Sequence, residues 1–138
     1  MINFYTTKLV IILGFILSAP RVKADTPEPP NPTPQMIQSG KALFMSLCVS
    51  CHGKNGNGMG PAAEYLSPKP QDFVDNKFRF GSSPQQVFHT ISKGILGTSM
   101  AGIGHISAEK RWQLAYYVLA IHHKKAISPL EKKAPSPQ

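Results

Sequence analysis

The chain has 138 residues, two cysteines and a formal charge of +8, with 41% hydrophobic residues. This length excludes more than one sizeable domain, and two cysteines exclude a scaffold built on disulfides. The lysines are scattered rather than clustered, which argues against nucleic acid and leaves solubility, or docking on acidic surfaces, as the meaning of the charge.

Residues 1–24 read as a secretory signal peptide. Lys8 charges its start, Leu9 to Leu17 is apolar apart from Gly14, and Val22-Lys23-Ala24 presents small residues for cleavage after Ala24. The rival reading is an uncleaved membrane anchor, although a run of about ten apolar residues falls short of the roughly 20 that span a bilayer. Cleavage would remove Lys8, Arg21 and Lys23 but no acid, lowering the charge from +8 to +5. Residues 25–34 (DTPEPPNPTP) hold five prolines, so an extended leader is expected there. The folded domain is expected at 35–127, followed by a polar, flexible tail at 128–138.

The first helix starts near Thr33-Pro34, with proline suited to the first turn. Ile37, Gly40, Leu43, Phe44 and Leu47 recur at three- and four-residue steps and trace its apolar face. Met36 and Met45, on or beside this helix, read as gap-filling core. The helix runs into Cys48-Val49-Ser50-Cys51-His52, the attachment signature of a c-type haem. Two thiols three positions apart can reach the two vinyl groups on one haem edge, and the imidazole that follows can ligate the iron. Zinc would require two further ligands drawn from scattered histidines. A redox dithiol would require a strand before the motif, where a helical pattern stands.

Beyond His52, residues 53–58 (GKNGNG) are loop, a short helical turn is expected at Ala62 to Leu66, and Ser67-Pro68-Lys69-Pro70 breaks it. Ser83-Pro84-Gln85-Gln86 predicts a capped helix start and Gly94 its end. The last helix opens at Ser107 and runs to about His123, with Glu109 in its first turn and Lys124-Lys125 beyond its end suiting the dipole. No stretch alternates as a strand, and the domain reads as all-α.

The other face of the iron needs a partner. Met100 lies in a glycine-rich loop, Gly94 to Gly102, between two well-marked helices, and is the expected second ligand. His105, just past the same loop, is its competitor. Met59 follows His52 too closely to cross to the far face, and His89, His122 and His123 sit on helices. A His/Met pair fills both axial positions, which discourages small-molecule chemistry and favours electron transfer.

With these residues in view, the sequence resembles the class I c-type cytochromes, small single-haem, His/Met-ligated electron carriers. The likeness runs from Gln35 to about His123. Gly40-Lys41-Ala42-Leu43-Phe44 resembles the family's first helix, and Leu114-Ala115-Tyr116-Tyr117-Val118 its last. It implies a small all-α cytochrome c fold, three to four helices around one covalent haem c, with Gly40 and Phe44 crossing near Leu114 and Tyr117. It further implies Cys48 and Cys51 as thioether sites, His52 and Met100 as iron ligands, and the Pro61 carbonyl as the group that orients His52. Arg79 and Trp112 become candidates for haem contacts, beside ordinary surface and core roles. The family usually has proline after the ligating methionine, and here Ala101 stands in that place.

The function so implied is electron carriage between periplasmic redox partners with acidic docking patches, by a monomer without a substrate of its own. Lys54, Lys69 and Lys93 are candidate docking charges. The alternative is a subunit or tethered redox domain of a larger dehydrogenase or oxidase. A haem peroxidase or gas sensor with an open iron site is a third reading.

Overall fold

A computed structural model describes residues 27–74 and 77–123. The expected signal peptide, the 128–138 tail, the last residues of the expected domain (124–127) with Lys124-Lys125, and the first two leader residues lie outside the described residues.

Four α-helices account for the architecture: α1 Pro34–Leu47, α2 Val49–His52, α3 Pro84–Lys93 and α4 Ala108–His122, with a 3-10 turn at Ala63–Tyr65. The described residues contain no strand; a single antiparallel bridge joins Gly94 to Ala101. The fold is the small all-α arrangement that the periodicity indicated. No helix among the described residues is long and apolar enough to cross a membrane.

The helix starts follow from local chemistry. Thr33 accepts the Met36 amide, and Pro34 opens α1 where its missing N–H is not needed. At α3, Ser83 accepts the Gln86 amide while the Gln86 side chain accepts the Ser83 amide. Ser107 accepts the Lys110 amide at the start of α4.

α4 is the central post. From Leu114 to Ile121 every residue is buried, as expected of a helix packed on several sides. α1 crosses it at Gly40: a β-carbon there would lie 2.0 Å from the Gln113 carbonyl oxygen and 2.9 Å from Tyr117 Cβ. Only glycine permits this approach. One turn on, Phe44 is fully buried and meets Tyr117 edge to face at 5.3 Å. α3 also packs on α4, through Phe88 stacked on Trp112 at 4.1 Å.

Two expectations on α1 need correction. Met36 does pack against the core, but Met45 is 43% exposed. Leu47, placed on the apolar face, is half exposed because it lies at the rim of the cavity described below. The leader, from Pro27, is non-helical until α1, and the Pro30 carbonyl accepts the Tyr116 hydroxyl.

Candidate functional site

α1 ends where the motif begins. The Cys48 amide donates to the Phe44 carbonyl at 2.9 Å, and the next four residues form the single turn of α2. A four-residue helix leaves most of its carbonyls without intrahelical donors. The glycine-rich segment supplies them. Gly58, Gly60 and Ala62 donate in turn to the carbonyls of His52, Cys51 and Ser50 at 2.9, 3.1 and 2.9 Å. A β-carbon on Gly60 would sit 2.3 Å from the Ser50 oxygen, so this return path also demands glycine.

His52 is buried, and its ring stacks on Phe73 with centroids 4.6 Å apart. Its Nδ1 lies 3.1 Å from the carbonyl oxygen of Gln71. A carbonyl can only accept, so Nδ1 carries the proton and the Nε2 lone pair is left for a metal. Burial lowers the imidazole pKa from its usual value, and the Gln71 bond partly offsets this. The neutral form is the one that ligates.

The residue that orients His52 is therefore Gln71, not Pro61. The correction has a physical cause. The amides on either side of Pro61 donate to α2's carbonyls, which fixes the path of the chain there, and Pro61 itself is exposed. The chain reaches the imidazole only after Ser67-Pro68-Lys69-Pro70 turns it back. Gln71 is also braced by its own side chain: Nε2 donates to the Asp72 and Lys77 carbonyls at 2.8 and 3.3 Å, and Oε1 accepts the Arg79 amide at 3.2 Å. Sequence reasoning missed Gln71 and Phe73, since spacing alone does not say which carbonyl meets a ring nineteen residues away.

Cys48, Cys51, His52 and Met100 all line one cavity of about 540 Å³, a size within the about 300–1,000 Å³ usual for cofactor pockets. Its walls are mostly apolar, with Phe44, Phe78, Val87, Ile91, Leu114 and Val118 drawn from α1, α3, α4 and the segment between. Lys69 and Arg79 line it as well, and no carboxylate among the described residues does. Both thiols are free, and burial, with Cys51 beside it, pushes the Cys48 thiol up to about 11. A large, flat, apolar group with an anionic edge and a metal suits this lining. Thioether-forming thiols, a nitrogen lone pair and a thioether sulfur are the donors that could hold it.

The competitors lie elsewhere. His105, His89 and His123 are exposed and none lines the cavity; His122 pairs through Nδ1 with the Phe73 carbonyl at 3.0 Å. Met59 is 78% exposed. Arg79 borders the cavity, as proposed from the sequence. Trp112 does not: it is buried between Phe88 and Tyr116, and its indole N–H has no acceptor among the described residues. Lys69 donates to the Ala63 and Glu64 carbonyls, so it braces the 3-10 turn, whereas Lys54 and Lys93 are exposed.

An all-α fold built around this cavity and this motif defines a c-type cytochrome, a protein of haem-based electron transfer. Residues 35–118 match the family described as cytochrome c oxidase, cbb3-type, subunit III, and the chain belongs to that family. Haem c bound covalently follows from membership. Among solved structures, the chain is similar to one from the reducing HAO-like protein complex of Kuenenia stuttgartiensis, at 34% identity and a TM-score of 0.67. That match covers 72% of this chain and 49% of the other, so this chain spans about half the length of that relative. No curated protein matches the chain.

Proposed function

We propose that the protein is an exported, periplasmic electron carrier holding one haem c through Cys48 and Cys51, with His52 and Met100 as the iron ligands. The observation that carries this reading is the convergence of these four residues, from the α1–α2 junction, α2 and the α3–α4 loop, on a single apolar cavity. Haem c supplies an Fe(III)/Fe(II) couple. The residues of the chain do the rest. The Gln71 carbonyl keeps His52 in the tautomer that ligates, the apolar walls exclude water, and Arg79 offers a cation to the acidic edge of the group. With both axial positions filled, the protein needs no substrate of its own. A single CxxCH and one cavity of this kind among the described residues support one haem per chain.

Partners are redox proteins with acidic docking patches, met by a monomer of basic charge. A second reading has a specific observation behind it. The family is described by an oxidase subunit, and the similar solved structure belongs to a complex. In that reading the chain is a cytochrome subunit or tethered domain of a larger assembly.

The ferric protein should show the weak near-red band of sulfur bound to iron, and Met100→Ala should abolish it while a pyridine haemochrome assay still reports one covalent haem. A wild type lacking the band would remove the His/Met assignment. Purification of the native protein, with N-terminal sequencing, separates a free, cleaved carrier from a retained or assembled subunit.

A further inference from the structure

The loop that carries Met100 is long and glycine-containing, yet its geometry is closed. Ala101 follows Met100, so no proline ring restrains the backbone there. At the loop tip Leu96 is fully exposed, and a β-carbon on Gly97 would meet nothing within 4 Å. Order resides instead in a small hydrogen-bonded frame. The Ile95 amide donates to the Met100 carbonyl at 3.0 Å, and the Thr98 amide donates to the Ile95 carbonyl at 3.2 Å. The Thr98 hydroxyl completes the frame: it donates to the Ile95 carbonyl at 2.8 Å and accepts the Met100 amide at 3.1 Å. Met100 is thereby held at both its N–H and its C=O, and Thr98 itself lies half-buried on the cavity wall.

We infer that Thr98 is the positioning residue for Met100, its hydroxyl fixing the methionine backbone so that the thioether stays at the iron. The inference rests on the assignment of Met100 as ligand. Threonine at this position does what a side chain without a hydroxyl cannot. Valine has the same shape, but it leaves the Met100 amide without an acceptor and releases one side of the frame. Serine keeps both bonds. The frame acts on the ligand's position rather than on haem attachment, which belongs to α2.

The test uses the haem-loaded full chain and imidazole as a probe that competes with methionine for ferric iron. Thr98→Val should bind imidazole about three- to tenfold more tightly than wild type, the range expected where the hydrogen bond from the Met100 amide is the one that holds the ligand. Thr98→Ser should stay within about twofold of wild type. Ser46→Ala, exposed on α1 and outside the cavity lining, should change nothing. A purely structural role would lower the unfolding temperature in all buffers without altering imidazole affinity. Should Thr98→Val load haem poorly, Thr98→Ala carries the same comparison. Equal affinities in wild type and Thr98→Val overturn the inference, and so does a serine variant that behaves like valine. Failure of the underlying reading has a different signature, since the wild type would then lack the sulfur-to-iron band before any variant is made.

Discussion

His52 is set by two contacts that act on different freedoms. The face of Phe73 restrains the tilt of the ring, and the Gln71 carbonyl fixes its rotation and tautomer. With His52 as the proposed ligand, hydrogen bonding at Nδ1 would make the imidazole a stronger donor to iron, and a stronger donor favours the ferric state. The Gln71 side chain holds that carbonyl in place by its bonds to the backbone of Asp72, Lys77 and Arg79. Gln71→Ala should therefore loosen the bond and raise the reduction potential. A weakening of about 0.5–1 kcal/mol corresponds to about 20–40 mV upward for one electron. A redox titration checks this, and a downward or null shift would show that the brace does not reach the iron. At this scale the sequence disclosed the residues whose chemistry is rare: two thiols and a histidine in a fixed motif, and a methionine in a loop between two capped helices. It did not disclose Gln71, because every residue has a carbonyl. Which carbonyl meets a buried ring depends on the path of the chain, and here Gly58 to Ala62 is occupied in capping α2.

The three longer helices, α1, α3 and α4, were legible to within a residue or two because their ends carry their own chemistry, whereas the single turn of α2 was not. Ser83 with Gln86, Thr33 before Pro34, and Ser107 each solve the amide problem at a helix start from side chains a few residues away. Exposure was less legible. Met45 and Leu47 lie on a helix whose apolar positions are not all covered by other helices, and Leu47 borders the cavity instead. Inter-helix spacing turns on Gly40. A methyl group at that position would overlap the Gln113 carbonyl, so α1 must retreat from α4 along its length. Gly40→Ala should destabilise the haem-loaded protein by about 1–3 kcal/mol, read as a lowered midpoint in urea. Because the same movement would drag Phe44 and Cys48, the variant should also mature with less covalent haem. Unchanged stability would mean that the helices shift at no cost.

For the molecule as a whole, the question is what fills the middle. The described fold is roughly ninety residues, small for a self-sufficient core, and part of its buried apolar surface faces a cavity of about 540 Å³. Phe44, Leu114 and Val118 belong both to the packed core and to this lining. Haem in this cavity would be a structural component as well as the redox centre, its binding free energy adding to that of folding. The leader adds a smaller contribution at the periphery, where the Pro30 carbonyl and Tyr116 hydroxyl join it to α4. Tyr116→Phe should cost about 1 kcal/mol, seen as a modest fall in the unfolding midpoint with the optical spectrum unchanged. Preventing attachment should be far more damaging. In Cys48→Ala/Cys51→Ala without haem, the side chains around the cavity lose their packing partner while the capped helices keep their local hydrogen bonds. The expected state retains much of its far-ultraviolet circular dichroism, loses its near-ultraviolet signal and binds a hydrophobic dye. Its urea transition should be broad, whereas that of the haem-loaded chain should be sharp. A haem-free chain that unfolds as cooperatively as the loaded protein would show that the helices close the cavity by themselves, and the assignment of haem as the missing core would fall.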